Sequence, residues 1–363
     1  MKIFQRRRRL TFQNIFYLVV IVILLYIINE SRVQLAQCEN KFQLSDIGKR
    51  DVVEANNRER IVQKKNTIRG MDDNPKNRDK LTIDEIQKFR HLKLRNGCRN
   101  VGIRKLDLNN TEDLNNAVNH KVSMDTVYWS DEFKFTVSII HKIGSKNWRI
   151  LFSRLRGRTK ATVEGEYLSL VKDKYEVKKR LMEYYNILFV RNPLTRVVSG
   201  YRDKFEGKTV PEYTDVGQVI IQRYRNIYSA NELKKASEIT FNEFVMFLLD
   251  MDVNKTETID RHWIPIVYRG RPCELDYDFI GRLETVDRDI PYLYSHLGFD
   301  KVVTYNKGQQ RKSSESILLK RYYQKLPEDL FRRLVNLYRE DFLLFGYKIP
   351  NDQVDFDELL LSV

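Results

Sequence analysis

From residue 133 onward the hydrophobic pattern alternates between a strand period and a helix period. "FKFTVSII" (133–140) switches between apolar and polar positions before closing on an apolar run, which predicts a strand. "NWRILFSRL" (147–155) then places Trp148, Leu151, Phe152 and Leu155 at i, i+3, i+4 and i+7, the spacing of one helix face. The link between them is "HKIGSK" (141–146). "YYNILFV" (184–190) predicts a second strand and "PLTRVVSGYRDKF" (193–205) a second helix. Pro193 suits its first helical position, and Val197, Val198, Tyr201 and Phe205 share one face. Two strand–loop–helix units predict an α/β domain with a central parallel sheet flanked by helices. "TFNEFVMFLLD" (240–250) and "PEDLFRRLVNLYREDFLLFGY" (327–347) read as further helices.

The N-terminus has a different texture. "RRRR" (6–9) precedes a segment, 10–28, whose later part "IFYLVVIVILLYII" carries no charge and nearly spans a hydrocarbon core. It predicts a cytosolic tail (1–9), a membrane anchor (10–28) and a lumenal or extracellular remainder, because basic flanks stay on the cytosolic side. A cleaved signal peptide is the alternative. Residues 29–90, polar and rich in Asn, Lys, Arg, Glu and Asp, read as a stem. A single domain is expected over 91–350, followed by a tail at 351–363. Two acceptor sequons, at Asn109 and Asn254, agree with a secretory route. In an oxidising compartment three cysteines allow one bridge, expected between Cys98 and Cys273 with Cys38 left over; three unpaired thiols are the alternative.

Charge narrows the partner. Lys and Arg outnumber Asp and Glu by 64 to 49, a net charge of +15, which calls for a polyanion: nucleic acid, anionic lipid or acidic polysaccharide. The expected orientation removes nucleic acid. No CxxC or HExxH spacing occurs, so no metal site is expected.

Both strand-to-helix loops have the makings of anion sites, since backbone N–H groups and the helix dipole converge there. In the first, Gly144 lets the backbone approach closely, Ser145 and Asn147 can donate or cap, and Lys142 and Lys146 add charge. The stretch does not match the GxxxxGK[ST] loop, which argues against nucleotide-hydrolase and kinase chemistry. A solvated lysine turn is the plain alternative. In the second, Arg191 ends a strand and Ser199 follows eight residues later, so the two could clamp a phosphate. Alternatively, Arg191 pairs with a structural carboxylate and Ser199 fits a tight packing position.

These stretches carry a family resemblance. "HKIGSKNWRIL" resembles the 5′-phosphosulfate loop, and "FVRNPLTRVVSGYRDKF" the 3′-phosphate loop, of the Golgi carbohydrate sulfotransferases that act on chondroitin, dermatan and related glycans. "RHWIPIVYRGRPCELDYDFIGRLETVDRD" and "YYQKLPEDLFRRLVNLYREDFLLFGY" resemble two later blocks, so the likeness covers roughly 130–348. The resemblance implies a nucleotide-kinase-like sulfotransferase fold in one domain and 3′-phosphoadenosine-5′-phosphosulfate as co-substrate, without a metal. It places Arg191 and Ser199 at the donor's 3′-phosphate and Lys142, Gly144, Ser145, Lys146, Asn147 and Trp148 about its 5′ end. Lys142 would neutralise the oxygen between phosphate and sulfate. Arg311, with Lys307 and Lys312, is placed over the donor, a solvated loop being the alternative.

His262 is the candidate base for an acceptor hydroxyl, or a structural histidine beside Trp263. Glu284 matches the family in a structural role, and Trp263 is expected to stack on a sugar or pack in the core. The resemblance implies an acidic glycan acceptor, a single-pass Golgi membrane location with a lumenal catalytic domain, and a second copy of the chain as a candidate partner. It also has departures. His141 stands where the family usually has proline, Ser145 and Lys146 where Cys-Thr or Cys-Ser is usual, and Ser138 where another cysteine falls. They motivate a rival expectation, a catalytically inactive relative that only binds glycans.

Overall fold

The computed structural model describes residues 81–157, 167–303 and 315–351. The expected anchor (10–28), Cys38, Lys307, Arg311, Lys312 and the tail after 351 lie outside the described residues. The folded unit begins at Leu81. Helix α1 (Ile83–Val101) therefore crosses the stem boundary expected at 90. Thr82 and Glu85 close its first turn in a reciprocal capping box, and Gly102 ends it in the left-handed conformation. Within 81–90 the fold buries two residues of α1: Ile86 and Arg90, which pairs with the buried Asp289 at 2.7 Å.

Four strands form one sheet in the order β1 (Val127–Ser130), β2 (Phe135–Ser138), β3 (Tyr185–Val190), β4 (Phe279–Arg282). β2, β3 and β4 run parallel, as the strand–loop–helix pattern predicts. β1 corrects the all-parallel expectation. It pairs antiparallel with β2 because only four residues connect them, too few for a crossover. Gly281 sits where a Cβ would meet the Phe189 ring at 2.4 Å, so its lack of a side chain lets that ring lie across β4.

The helices follow the hydrophobic period. In α2 (Ser145–Leu155), Trp148, Leu151, Phe152 and Leu155 are all buried. In α3 (Pro193–Lys204), Pro193 takes the first position, Asn192 caps it, and Val197, Val198 and Tyr201 turn inward, with Phe205 buried at its end. α4 (Phe241–Leu249), α5 (Ile266–Gly270), α6 (Val286–His296), α7 (Glu328–Leu337) and α8 (Arg339–Phe345) complete the main packing. The carboxylate of Asp341, in α8, accepts from the amides of Ile266 and Val267 at 2.7 and 2.8 Å, and so fixes the start of α5.

Cys98 of α1 is bonded to Cys273, 175 residues away, just beyond α5. The bridge closes a long loop of the unfolded chain and so removes entropy from it. Reduction, or Cys273→Ser, is expected to cost roughly 2–5 kcal/mol and to lower the melting temperature by about 5–15 °C, read by scanning calorimetry with and without reductant.

Candidate active site

β2 and β3 are parallel neighbours, so the loops that follow them leave the same edge of the sheet. The first loop bends sharply: Lys142 has φ 68° and Gly144 φ 80°, both in the left-handed region. Gly144 is the N-cap of α2 and has no side chain, and among the described residues no side chain caps that helix. The Asn147 amide donates to the Gly144 carbonyl at 2.9 Å, which leaves the amides of Ser145 and Lys146 and the dipole of α2 available to an anion. The second loop is built the opposite way. Asn192 Oδ1 accepts from the amides of Leu194 and Thr195 at 3.0 and 3.3 Å, so α3 is closed by its own chain. Its contribution to the shared edge comes from side chains.

Arg191 links the two loops. Its Nη1 donates to the Lys142 carbonyl at 3.1 Å and its Nε to Thr195 Oγ1 at 3.0 Å. Ser199, one helical turn beyond Thr195, is half-buried on the same ridge of α3. Behind this turn Glu284 accepts from the Asn192 amide at 2.7 Å and from the Tyr347 hydroxyl at 3.0 Å, a bracing role. Lys142 Nζ lies 3.2 Å from Asp203, which also meets Lys204 at 3.1 Å. Burial pulls the Lys142 ammonium below its ordinary range, opposed by Asp203. Burial pushes the Asp203 carboxyl up, but Lys142 and Lys204 outweigh it and hold it low.

A second group adjoins the first loop. His262, 7% exposed, has Nδ1 2.8 Å from Asp260 Oδ1 and 2.7 Å from the Tyr213 hydroxyl. Tyr213 donates to the other Asp260 oxygen at 2.9 Å, and the His262 amide donates to Oδ1 at 2.8 Å. A carboxylate at Nδ1 assigns the proton to that nitrogen and leaves Nε2 with its lone pair. Among the described residues Nε2 has no hydrogen-bond partner. Burial lowers the imidazole's affinity for a second proton, which Asp260 partly restores. The His141 ring stands edge-on to His262, centroids 4.6 Å apart, and accepts from Arg149 at 3.3 Å through Nε2. The base candidate thus lies beside the residue that precedes Lys142.

The structure brings Lys142, Arg191 and His262 into one region and puts Gly144, Ser145, Lys146 and Asn147 at the open end of α2. Lys146 and Asn147 are exposed there and Ser145 half-buried. Trp148 departs from the expected ligand set. It is 5% exposed and packs against Phe189, because the helix period turns it to the core, so it supports the loop from beneath. Trp263 likewise belongs to the core, against Phe205, Tyr213 and Phe244. Ser138 bonds the Tyr277 hydroxyl at 2.8 Å.

Five residues of the region escaped sequence reasoning: Thr195, Arg196, Asp203, Tyr213 and Asp260. Arg196 and Asp203 lie within the basic helix stretch that drew attention, yet their inward and loop-facing directions needed the tertiary fold. Asp260 stands two positions before His262, a spacing that could have suggested a local carboxylate–imidazole pair.

The sequence pattern of the sulfotransferase family matches residues 125–348. The chain is 29% identical to carbohydrate sulfotransferase 14 of Danio rerio over 245 residues, covering 65% of this chain and 66% of that protein. It is 31% identical to carbohydrate sulfotransferase 11 of Rattus norvegicus over 230 residues, 58% of this chain and 64% of the relative. With carbohydrate sulfotransferase 8 of Homo sapiens the figures are 30% over 238 residues, 62% and 56%. The matched regions thus span between 56% and 66% of these relatives' lengths. No solved structure matches the chain significantly.

Burial, reinforced by His262 and by the guanidinium groups of Arg261, Arg149 and Arg269, pushes His141 from 6.5 down to about 2. The unfolded chain therefore binds the proton first, and stability is lost as the pH falls below 6.5. By pH 5 the loss from this group is roughly 2 kcal/mol. His141→Gln is expected to flatten the acid side of a melting-temperature profile measured between pH 7.5 and 5; an unchanged slope would contradict the burial of a neutral ring.

Proposed function

The chain belongs to the sulfotransferase family, and we propose that it transfers a sulfuryl group from 3′-phosphoadenosine-5′-phosphosulfate to a hydroxyl of a glycan, on a chondroitin-like chain bearing N-acetylgalactosamine or uronic acid. The observation that carries this reading is the join between the loops. An uncapped helix N-terminus and Lys142 sit on one side, and Arg191, hydrogen-bonded to the Lys142 carbonyl, on the other. Two anion-attracting features at one sheet edge suit a donor with phosphates at both ends. A 3′-phosphate would meet Arg191 and Ser199; the 5′-phosphosulfate would meet the open amides of α2, with Lys142, Ser145, Lys146 and Asn147 around it.

The chemistry needs a proton acceptor and a charge partner. As the acceptor oxygen bonds to sulfur, its proton passes to His262 Nε2 and the sulfur–oxygen bond to the phosphate breaks. The negative charge left on that phosphate is stabilised by Lys142, which exchanges its Asp203 contact for the leaving oxygen. The Cys98–Cys273 bridge and the exposed positions of Asn109 and Asn254 support an oxidising, secretory setting. They fit a Golgi membrane protein anchored through 10–28 with this domain lumenal. A homodimer belongs to the same proposal.

The test supplies radiolabelled donor and a panel of desulfated glycosaminoglycans. Lys142→Ala and His262→Ala are expected to lower kcat about 10²-fold or more, and Arg191→Ala to raise the donor KM about 10- to 100-fold. Glycan binding by the wild type with neither donor binding nor transfer would instead establish the inactive, glycan-binding relative.

A further inference from the structure

Beside His262 the fold buries positive charge that its own side chains leave unsatisfied. Arg269, on α5, is 9% exposed, and among the described residues its guanidinium makes no hydrogen bond or ion pair; its Nε is fully enclosed. Arg149 spends Nη2 on His141, but its Nε is enclosed without a partner, and so is His141 Nδ1. The two parts abut. A Cβ on Gly270, next to Arg269, would lie 3.3 Å from Ile140 Cδ1, next to His141. The exposed Arg261 adjoins His262 in the chain and acts electrostatically on both His141 and Arg269. Two carboxylates also act on Arg269, those of Asp125 and Asp260. Neither bonds to it, and Asp260 is committed to His262 and Tyr213.

The enclosed Nε of Arg269 leaves a donor without an acceptor, and the rest of its guanidinium bonds to nothing among the described residues. Such a group is explained when a ligand supplies the missing oxygens. We propose that Arg269, with Arg149 and Arg261, forms an anion subsite that takes the carboxylate of a hexuronate residue adjoining the sugar whose hydroxyl faces His262. The planar fork of arginine matches a carboxylate through two parallel hydrogen bonds, which a neutral sugar cannot offer. Arg149 bonds His141, whose ring meets that of His262, so the subsite adjoins the proposed base. It rests on the glycan-sulfating reading for the identity of the neighbouring sugar, and it makes the negative charge a condition of recognition.

The experiment measures equilibrium binding of the full chain to three hexasaccharides: an unsulfated hexuronate–N-acetylgalactosamine repeat, its carboxyl-reduced form, and the carboxyl-reduced form carrying sulfate esters. Each is tested with the wild type, Arg269→Met and Arg261→Gln, and transfer from labelled donor is followed in parallel. The wild type is expected to bind the carboxylated sugar about 10- to 100-fold more tightly than the reduced one. Arg269→Met should erase that ratio and Arg261→Gln should narrow it. Should Arg269→Met fail to fold, the exposed Arg261→Gln decides. Equal binding of the first two sugars, or equal weakening of both in the variants, overturns the subsite. Arginine-dependent binding of the sulfated form alone overturns the carboxylate assignment. Carboxylate-dependent binding with no transfer keeps the subsite and sinks the transferase; transfer indifferent to carboxyl reduction does the reverse.

Discussion

Arg196 holds the site together. It is fully buried and donates through Nε to the His141 carbonyl at 3.1 Å, through Nη1 to Ile264 at 2.6 Å and through Nη2 to Arg261 at 3.5 Å. One side chain of α3 thus ties the second loop's helix to the first loop and to the segment carrying His262. Burial lowers its affinity for the proton, yet an arginine in a protein remains charged, so its carbonyl acceptors cannot be given up without a large penalty. Asp341 answers that charge at longer range. Burial pushes its carboxyl up to about 6, against the two α5 amides and Arg196 that favour ionisation. The Tyr338 hydroxyl adds a bond to the Trp263 carbonyl at 2.5 Å. The first loop and the segment carrying His262 therefore keep their relative placement through main-chain atoms that side-chain variation leaves intact.

The two strand-to-helix turns divide their work by how each helix begins. Asn192 satisfies the α3 amides, which frees that loop to act through Arg191 and the Thr195–Ser199 ridge. Gly144 has no side chain with which to cap α2, and after the left-handed turn at Lys142 and Gly144 the amides of Ser145 and Lys146 have no side-chain partner among the described residues. Capping both helices would leave only side chains to attract an anion; capping neither would loosen the Arg191 turn that Glu284 braces. Asp203 fits the same logic by giving the Lys142 ammonium a counter-charge.

Much of the fold was legible because period and burial agree. The apolar positions of α2 and α3 are those that the fold buries, and Pro193 and Gly144 mark helix starts as their chemistry requires. β1 was not legible, since four residues, VYWS, hold too few alternations to register as a strand. In 81–90 the helix α1 buries only Ile86 and Arg90, the latter against Asp289, so most of that stretch keeps the polar texture of the expected stem. In the site, residues within the two loops could be found by local chemistry. Arg196 and Tyr213 act through partners distant in sequence, which no one-dimensional pattern encodes, whereas the Asp260–His262 pair is local.

His141 shows how a departure from the family pattern can be accommodated. A proline at this position would fix φ and withhold an amide donor. With histidine the backbone loses that restraint, but its carbonyl is held by Arg196 and the following carbonyl by Arg191. The conformation is imposed from outside the loop instead of from within it. The imidazole then fills the space between Arg149 and His262, kept neutral by burial and the surrounding cations, and this neutrality is what lets it pack against a second imidazole. A charged ring there would repel His262 and lower its basicity, so the substitution is compatible with a functioning base only in an enclosed, cation-rich pocket such as this one.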